Sequence, residues 1–302
     1  MPPRVSSLPE IVFTTPRHLP DARKLRGRVA VVDIAFAADG MGTPFEETTA
    51  AFIRELGGRL AAWVDHHDHE RHGDYAGDSR FVLATKAEHG ACPEMVTPAV
   101  VRDAGPIDTI VAHVDLDGLY SAVKWVLGGV EPYPGADDDA RAVDTRIGTP
   151  GATGQLVDKA LRAHFRDEGL KHRVVRWLVD GMKDKALGRE IAEAAADFDR
   201  IADETSRLAA LYQPRGARAV FVDAATHARA AFDKTMLLLE GQKRAPVAIV
   251  RDAGMITMAA AFDSGIDFVK LLELGGGMPT RVSLKEARLD EVLQKLDGAR
   301  DK

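Results

Sequence analysis

The chain has 302 residues, of which 45% are hydrophobic and 28% are charged, and this composition is typical of folded globular proteins rather than disordered or fibrous ones. Its formal net charge of -6 argues against tight binding to long duplex nucleic acid, because that affinity depends on lysine and arginine displacing counterions. Its single cysteine, Cys92, excludes an internal disulfide and a cysteine-rich zinc site. The opening residues contain no apolar signal core, and no apolar run is long enough to cross a membrane, so we expect a soluble, cytoplasmic protein.

The first part of the chain alternates short β-branched strands with amphipathic helices, which predicts an α/β domain built on a parallel sheet. The predicted strands cover 29–36, 59–65, 80–85 and 108–115, and the predicted helices include 47–57 and 119–129. In doubly wound sheets, ligands bind beyond the carboxyl ends of the strands. We expect a functional site there, because such ends carry Asp33, Asp65, His66, His113 and Asp115.

The second part of the chain begins where the segment GTPGATGQ (148–155) breaks this alternation. We interpret that segment as a linker, because it lacks the Lys-Ser/Thr pair that completes a phosphate-binding loop. Helical spacing follows over 156–211, and from residue 217 the pattern predicts a second, smaller α/β domain. We therefore place a first domain at 1–185, a helical linker at 186–213 and a second domain at 214–302.

The segment VAHVDLDG (111–118) is the first candidate for chemistry. Its strand delivers His113, Asp115 and Asp117 at alternate positions, and side chains two apart on an extended segment share a face. An imidazole and two carboxylates can therefore converge on one metal ion. The alternative is purely structural, with Asp117 capping the following helix and His113 satisfied in the core.

The segment WVDHHDHERH (63–72) is the second candidate. A strand ends there at Asp65 and is followed directly by His66 and His67. Histidine-rich stretches are more often solvated polar loops, and that alternative stays open.

Two weaker candidates complete the set. The segment VVDIAFAADGMG (31–42) delivers Asp33 at a strand end, with Asp39 in the following turn, and DDDARAVDTRIG (137–148) contains Asp144. An aspartate that ends a strand or caps a helix is common, so neither segment is informative alone. Together with the other two, they place acidic or imidazole groups where a doubly wound sheet binds its ligand.

Aspartate and histidine without cysteine suit Mn²⁺ or Mg²⁺ better than a structural Zn²⁺. The carboxylates are too many for one ion, which favours two ions that share one aspartate. A pair of ions bound in this way polarises a phosphoryl group and activates a water molecule.

These motifs resemble those of the DHH phosphoesterases, a family that includes nucleases of short oligonucleotides, cyclic-dinucleotide phosphodiesterases, exopolyphosphatases and manganese-dependent pyrophosphatases. VDHH (64–67) is similar to the motif that names the family, and HVDLDG (113–118) is similar to its HxDxDG signature. The resemblance covers roughly 29–148 and implies a parallel-sheet DHH-like catalytic domain followed by a smaller DHHA1-like domain. HxDxDG normally precedes DHH and here follows it, as in a circular permutation, which can preserve a site in space.

The resemblance implies a role for each candidate residue, and we carry these roles over as expectations. His113 and Asp115 are expected to hold one metal ion, while His66, Asp117 and Asp144 hold the second. Asp33 is expected to bridge the two ions, with Asp39 as the alternative. His67 is expected to face the substrate phosphate, and Asp65 to orient an imidazole. The cofactor implied is a pair of Mn²⁺ ions, with Mg²⁺ or Co²⁺ as alternatives.

The second domain of the family carries a GGGH segment that contacts substrate, and this chain has GGGMP with Met278 in place of the histidine. Gly275, Gly276 and Gly277 allow backbone amides to approach a phosphate, and Arg281 supplies positive charge. A tight turn without a binding role is an equally good interpretation of this segment.

The sequence therefore predicts a metal-dependent phosphohydrolase that cleaves a phosphodiester bond of a small nucleotide, either a short single-stranded oligonucleotide or a dinucleotide. Two alternatives remain: a pyrophosphatase or exopolyphosphatase with the same metal ions, and a nucleotide-binding module without turnover. The sequence leaves open whether the chain forms a homodimer.

Overall fold

The computed structural model describes residues 8–38, 43–228, 231–274 and 278–298, and their contacts divide the chain into two compact units. Nearly all of the chain up to Ala195 belongs to the first unit, and the second contains Ala196 onward. Four residues named above, Asp39, Gly275, Gly276 and Gly277, lie outside the described residues.

The first unit contains both strands and helices up to residue 126 and only helices after it. They are β1 (Glu10–Thr14), β2 (Val29–Val32), α1 (Thr49–Leu56), β3 (Leu60–Asp65), β4 (Phe81–Leu83), α2 (Pro98–Ala104), β5 (Thr109–His113), α3 (Leu116–Val126), α4 (Ala136–Thr145), α5 (Ala152–Ala163), α6 (Glu168–Val179) and α7 (Lys185–Ala196).

The five strands of the first unit form one sheet in the order β1-β5-β2-β3-β4, and every pairing in it is parallel. This confirms the predicted parallel sheet, although β1 was not predicted. From β2 the chain adds β3 and β4 on one side and then returns to place β5 on the other. The carboxyl ends of β2 and β5 therefore meet where the direction of winding changes, which is the usual ligand position in such sheets.

Both faces of this sheet are buried, and β2 shows why. Val29 and Val31 pack on one face with Trp63, whereas Ala30 and Val32 pack on the other face with residues of α3 to α7. Successive strand residues point to opposite faces, so a continuous apolar run marks a strand covered on both sides. Helices on both faces leave the edge at the carboxyl ends of the strands as the place for polar side chains.

Two predicted boundaries of the first unit differ from the structure. β2 ends at Val32 rather than at residue 36, because Asp33 has a backbone φ of 56° that takes the chain out of the sheet. The segment predicted as a linker at 148–155 is only partly one, since α5 begins at Ala152.

The second unit is smaller, and its secondary structure begins with a helix. Its helices and strands are α8 (Phe198–Ala209), β6 (Gln213–Arg215), β7 (Ala219–Asp223), α9 (Lys234–Gln242), β8 (Val247–Asp252), β9 (Met255–Ala259), α10 (Phe268–Leu271), β10 (Arg281–Lys285) and α11 (Leu289–Gly298). Its sheet has the order β10-β9-β8-β7-β6, in which only the pair β7 and β8 is parallel. The second α/β fold predicted from the sequence is thus confirmed, with a mixed sheet.

Among the described residues, no helix combines the length and the apolar character that crossing a membrane requires.

Candidate metal centre

The candidate residues of the first half come from the carboxyl ends of three neighbouring strands. Asp33 directly follows β2, Asp65 is the last residue of β3, and His113 is the last residue of β5. Asp117 lies in the first turn of α3, which begins directly beyond β5. Asp144 arrives from a different direction, near the end of α4. The structure therefore brings together segments that are up to 111 positions apart in the chain.

Three sets of candidate ligands lie at this edge, each with its ligand atoms within 4.8 Å of one another: Asp33, His113 and Asp115; His66, Asp117 and Asp144; and Asp33, His66 and His67. The third set joins members of the first two with His67, so the site is described by the first two groups. In the first group, Nδ1 of His113 lies 2.8 Å from Oδ2 of Asp115 and 3.8 Å from Oδ2 of Asp33. In the second group, Nε2 of His66 lies 3.1 Å from Oδ2 of Asp117 and 3.8 Å from Oδ2 of Asp144. We call these the His113 group and the His66 group.

Asp33 lies between the two groups. Its Oδ2 atom faces His113, and its Oδ1 atom is 3.4 Å from Nε2 of His66. The side chain is 1% exposed. Burial and then the neighbouring Asp117 raise the pKa of Asp33 well above its usual range. A carboxylate so placed needs positive charge, and each of its oxygens faces a different group.

The imidazole of His66 is oriented by a backbone carbonyl. Its Nδ1 donates to the carbonyl oxygen of His89 at 2.8 Å, so the Nε2 atom, which faces the carboxylates, is the one that can carry a lone pair. A lone pair directed at carboxylates is unfavourable unless a proton or a cation lies between them. Without a cation, Asp117 and Asp33 overcome the opposing effect of burial and raise the pKa of His66 to about 11.

His113 is in a similar position. Burial opposes its charged form, but Asp115 and then Asp33 and Asp117 raise the pKa of His113 to about 9. Asp115 caps α3 by accepting the backbone N–H of Gly118 at 3.2 Å, so the capping role considered for Asp117 belongs to Asp115.

Three buried polar atoms in this region have no hydrogen-bond partner of normal geometry: Oδ1 of Asp33, Nε2 of His66 and Nδ1 of His113. Buried polar atoms are usually satisfied, so three unsatisfied atoms within one cluster need an explanation. Each lies within 4 Å of other candidate ligands without hydrogen bonding to them. This arrangement fits ligands that point at a common cation, and imidazole with carboxylate is a suitable donor set for Mn²⁺.

Asp65 and His67 form a hydrogen-bonded pair beside the two groups, and Nδ1 of His67 also lies 3.9 Å from Oδ1 of Asp33. Nδ1 of His67 lies 2.8 Å from Oδ1 of Asp65, and the backbone N–H of His67 donates to Oδ2 at 3.3 Å. Because a carboxylate only accepts, Nδ1 carries the proton and Nε2 keeps the lone pair. Burial lowers the pKa of His67 despite Asp65, so the ring is neutral. Its side chain is 23% exposed, which leaves it open to a substrate.

Two further residues contribute to the site that no sequence motif indicates, Lys86 and Cys92. Lys86 is buried, and its ammonium pairs with Asp144. The backbone N–H of Cys92 donates to both oxygens of Asp117, at 3.1 and 3.2 Å, and the buried thiol of Cys92 contacts the carbonyl of Val64. Lys86 follows the end of β4 at the same edge of the sheet, but nothing in the sequence around it indicates that it is buried.

Of the substrate contacts predicted in the second domain, Arg281 is the one that lies within the described residues. It opens β10 in the second unit, and its guanidinium donates to the hydroxyl of Thr235 at 3.1 Å. Met278 forms an isolated bridge with Arg281, which makes the end of the GGGMP segment a tight turn.

Comparison with known proteins gave structural similarities alone. No protein-family model matches the chain, and no curated protein does. Two solved structures of DHH-family proteins are similar to it. The pGpG-specific phosphodiesterase PggH from Vibrio cholerae has a TM-score of 0.41 and 11% identity, and the match covers 90% of this chain and 98% of PggH. RecJ from Thermus thermophilus in complex with Mn²⁺ has a TM-score of 0.48 and 14% identity, over 89% of this chain and 44% of RecJ.

Proposed function

We propose that the chain is a metal-dependent phosphodiesterase that hydrolyses a small nucleotide substrate. The observation that supports this most strongly is the position of Asp33, whose two buried oxygens face two separate groups of metal-ligand type. A bridging carboxylate between two cation sites is the arrangement used for hydrolysis of phosphate esters.

The residues assigned to the cations are those of the two groups. His113, Asp115 and Asp33 would hold one ion, and His66, Asp117 and Asp144 the other, with Asp33 shared. Bound divalent ions would supply the positive charge that acidifies a water molecule and neutralises the phosphoryl oxygens.

The chain's own groups position the ligands and move protons. The His89 carbonyl fixes the tautomer of His66, and the backbone N–H of Cys92 fixes the orientation of Asp117. His67, held by Asp65, presents a neutral imidazole whose Nε2 can accept a proton from water or a hydrogen bond from substrate. Its neutral ring, together with its partial exposure, is the reason why we assign His67 to the phosphate.

The net charge of the chain indicates the size of its substrate. A net charge of -6 disfavours the extended counterion release that long nucleic acid requires, whereas a dinucleotide or short oligonucleotide needs only local positive charge. We therefore propose a dinucleotide or short single strand as substrate.

The test is hydrolysis of a panel with Mn²⁺ and with chelator: a chromogenic phosphodiester, a linear dinucleotide, a cyclic dinucleotide, a short oligonucleotide, pyrophosphate and polyphosphate. The variant Asp117→Asn keeps an oxygen for the Cys92 N–H but removes the negative charge. Asp138→Asn is the matched control, because Asp138 is an aspartate with 77% side-chain exposure that pairs only with Arg141 among the described ion pairs.

Turnover that requires Mn²⁺ and is lost in Asp117→Asn but kept in Asp138→Asn supports the proposal, and the preferred substrate names the class. Preference for pyrophosphate or polyphosphate overturns the nucleotide assignment. Binding of Mn²⁺ and nucleotide without turnover identifies a binding module, and absence of Mn²⁺ binding rejects the metal centre.

A further inference from the structure

A buried lysine lies inside the candidate metal centre. Lys86 follows β4 by three residues, its side chain is 4% exposed, and its ammonium pairs with Asp144. The turn that carries Lys86 is stabilised by the carboxylate of Glu88, which accepts both the N–H and the hydroxyl of Thr85 at 2.8 Å. Lys86 is therefore held in the cluster and does not extend into solvent.

The contact involves an atom of the His66 group. Oδ2 of Asp144, which pairs with Lys86, is the same oxygen that lies 3.8 Å from Nε2 of His66. A cation bound by His66, Asp117 and Asp144 must therefore share this carboxylate with a fixed ammonium or displace it. Like charges a few ångströms apart in a buried site repel strongly.

The His113 group has no such contact. Within the described part of the chain, the ion pairs of Asp33, His113 and Asp115 join them only to one another and to His66 and His67. No lysine or arginine there pairs with these residues. The two groups thus differ in direct contact with one fixed positive charge, which acts on Asp33 and Asp115 only at longer range.

We propose that Lys86 competes with the second cation for Asp144, an inference that rests on the proposed function. The His113 group then binds a divalent ion first, and the His66 group binds one only when Lys86 releases Asp144. Lys86 is a positioning residue in this scheme: it neutralises the His66 group when only one ion is bound. The second ion is then bound more weakly than the first.

The test is titration of the full-length, chelator-treated protein with Mn²⁺ by isothermal calorimetry, with electron paramagnetic resonance to detect coupling between two bound ions. Lys86→Met removes the charge and keeps the apolar length, and Lys86→Arg keeps the charge. Lys124→Met is the matched control, because Lys124 is an equally buried lysine with 7% side-chain exposure, paired with Asp137 rather than with either group. Lys86→Gln replaces Lys86→Met if circular dichroism shows that the latter is unfolded.

In the unmodified protein we expect one tight and one weaker Mn²⁺ site. In Lys86→Met we expect second-site affinity to rise about tenfold or more while first-site affinity changes less than about threefold, and coupled ions to appear at lower Mn²⁺. Lys86→Arg and Lys124→Met keep the original difference. Equal affinities in the unmodified protein, an equal rise at both sites or no rise at the second would overturn the role of Lys86 while leaving the phosphodiesterase proposal intact. Absence of Mn²⁺ binding in every variant would reject both.

Discussion

Gly118 is required by close packing between α3 and β5, and replacing it with alanine should destabilise the first unit. A Cβ atom at this position would lie 2.5 Å from the carbonyl oxygen of His113 and 2.6 Å from its backbone nitrogen. These are backbone atoms of a central strand that is paired on both sides, so they cannot move aside cheaply. The glycine of the HVDLDG motif is thus a packing requirement that keeps His113 and Asp115 in place.

The magnitude follows from two opposing terms. Alanine in place of glycine within a helix normally gains about 1 kcal/mol. Overpacking typically costs about 1–3 kcal/mol and more where the backbone must shift. We expect a net loss of about 2 kcal/mol in the free energy of unfolding, or roughly 4–8 °C in the melting temperature of a unit of this size.

The assay monitors the unfolding of the chelator-treated protein in urea by circular dichroism. Mn²⁺ affinity is measured separately by calorimetry. The control is Gly73→Ala, because an added Cβ there contacts nothing within 4 Å and the backbone φ is not positive. We expect Gly73→Ala to be neutral or slightly stabilising. If Gly118→Ala is as stable as the unmodified protein and binds Mn²⁺ equally well, the packing argument is wrong.

Two further predictions concern the pH dependence of stability and the role of Asp65. In chelator, the folded pKa values of His113, about 9, and His66, about 11, lie above the unfolded value of about 6.5, so the folded state holds the extra protons. Their contribution to stability is complete below about pH 6.5 and is lost as pH rises through 9 and 11. The urea concentration at half-unfolding should decrease as the pH rises from about 7 to about 10, and it should decrease less in His113→Gln. A concentration that stays constant or increases over this range contradicts the prediction. Asp65→Asn should lower kcat by about tenfold or more while Mn²⁺ affinity changes little, because Asp65 contacts His67 rather than the two groups. A parallel loss of Mn²⁺ affinity in calorimetry would show instead that His67 binds metal.

The strand ends of the first unit were predictable because their physical signal is local. A run such as residues 29–32 is apolar at every position, as a strand covered on both faces must be, and the aspartate that ends it marks the carboxyl edge. Parallel strands bring these ends together wherever they occur in the chain. The convergence of Asp33, His66, His113 and Asp117 therefore followed from the fold class, even though the motifs occur in an unusual order.

The remaining features depend on contacts that no local pattern records. Lys86 stands in a polar loop without periodicity, and its burial depends on Asp144, which is 58 positions further along the chain. β1 contains only five residues, EIVFT, and although most of them are β-branched or aromatic, its place in the sheet depends on pairing with β5, which lies about a hundred positions further along the chain. The early end of β2 reflects the left-handed backbone of Asp33, whereas Ile34 and Phe36 continue the apolar pattern because they are buried outside the sheet.

The strand order also has a consequence for synthesis on the ribosome. β1 pairs only with β5, which is made roughly a hundred residues later, and β5 is also the partner that covers one edge of β2. At about 5–20 residues per second, the nascent chain spends roughly 5–20 s with β1 unpaired and that edge of β2 open. An open edge is a template for pairing with other chains. Completion of the sheet, and with it the assembly of the ligands around Asp33, therefore cannot occur before β5 has been made.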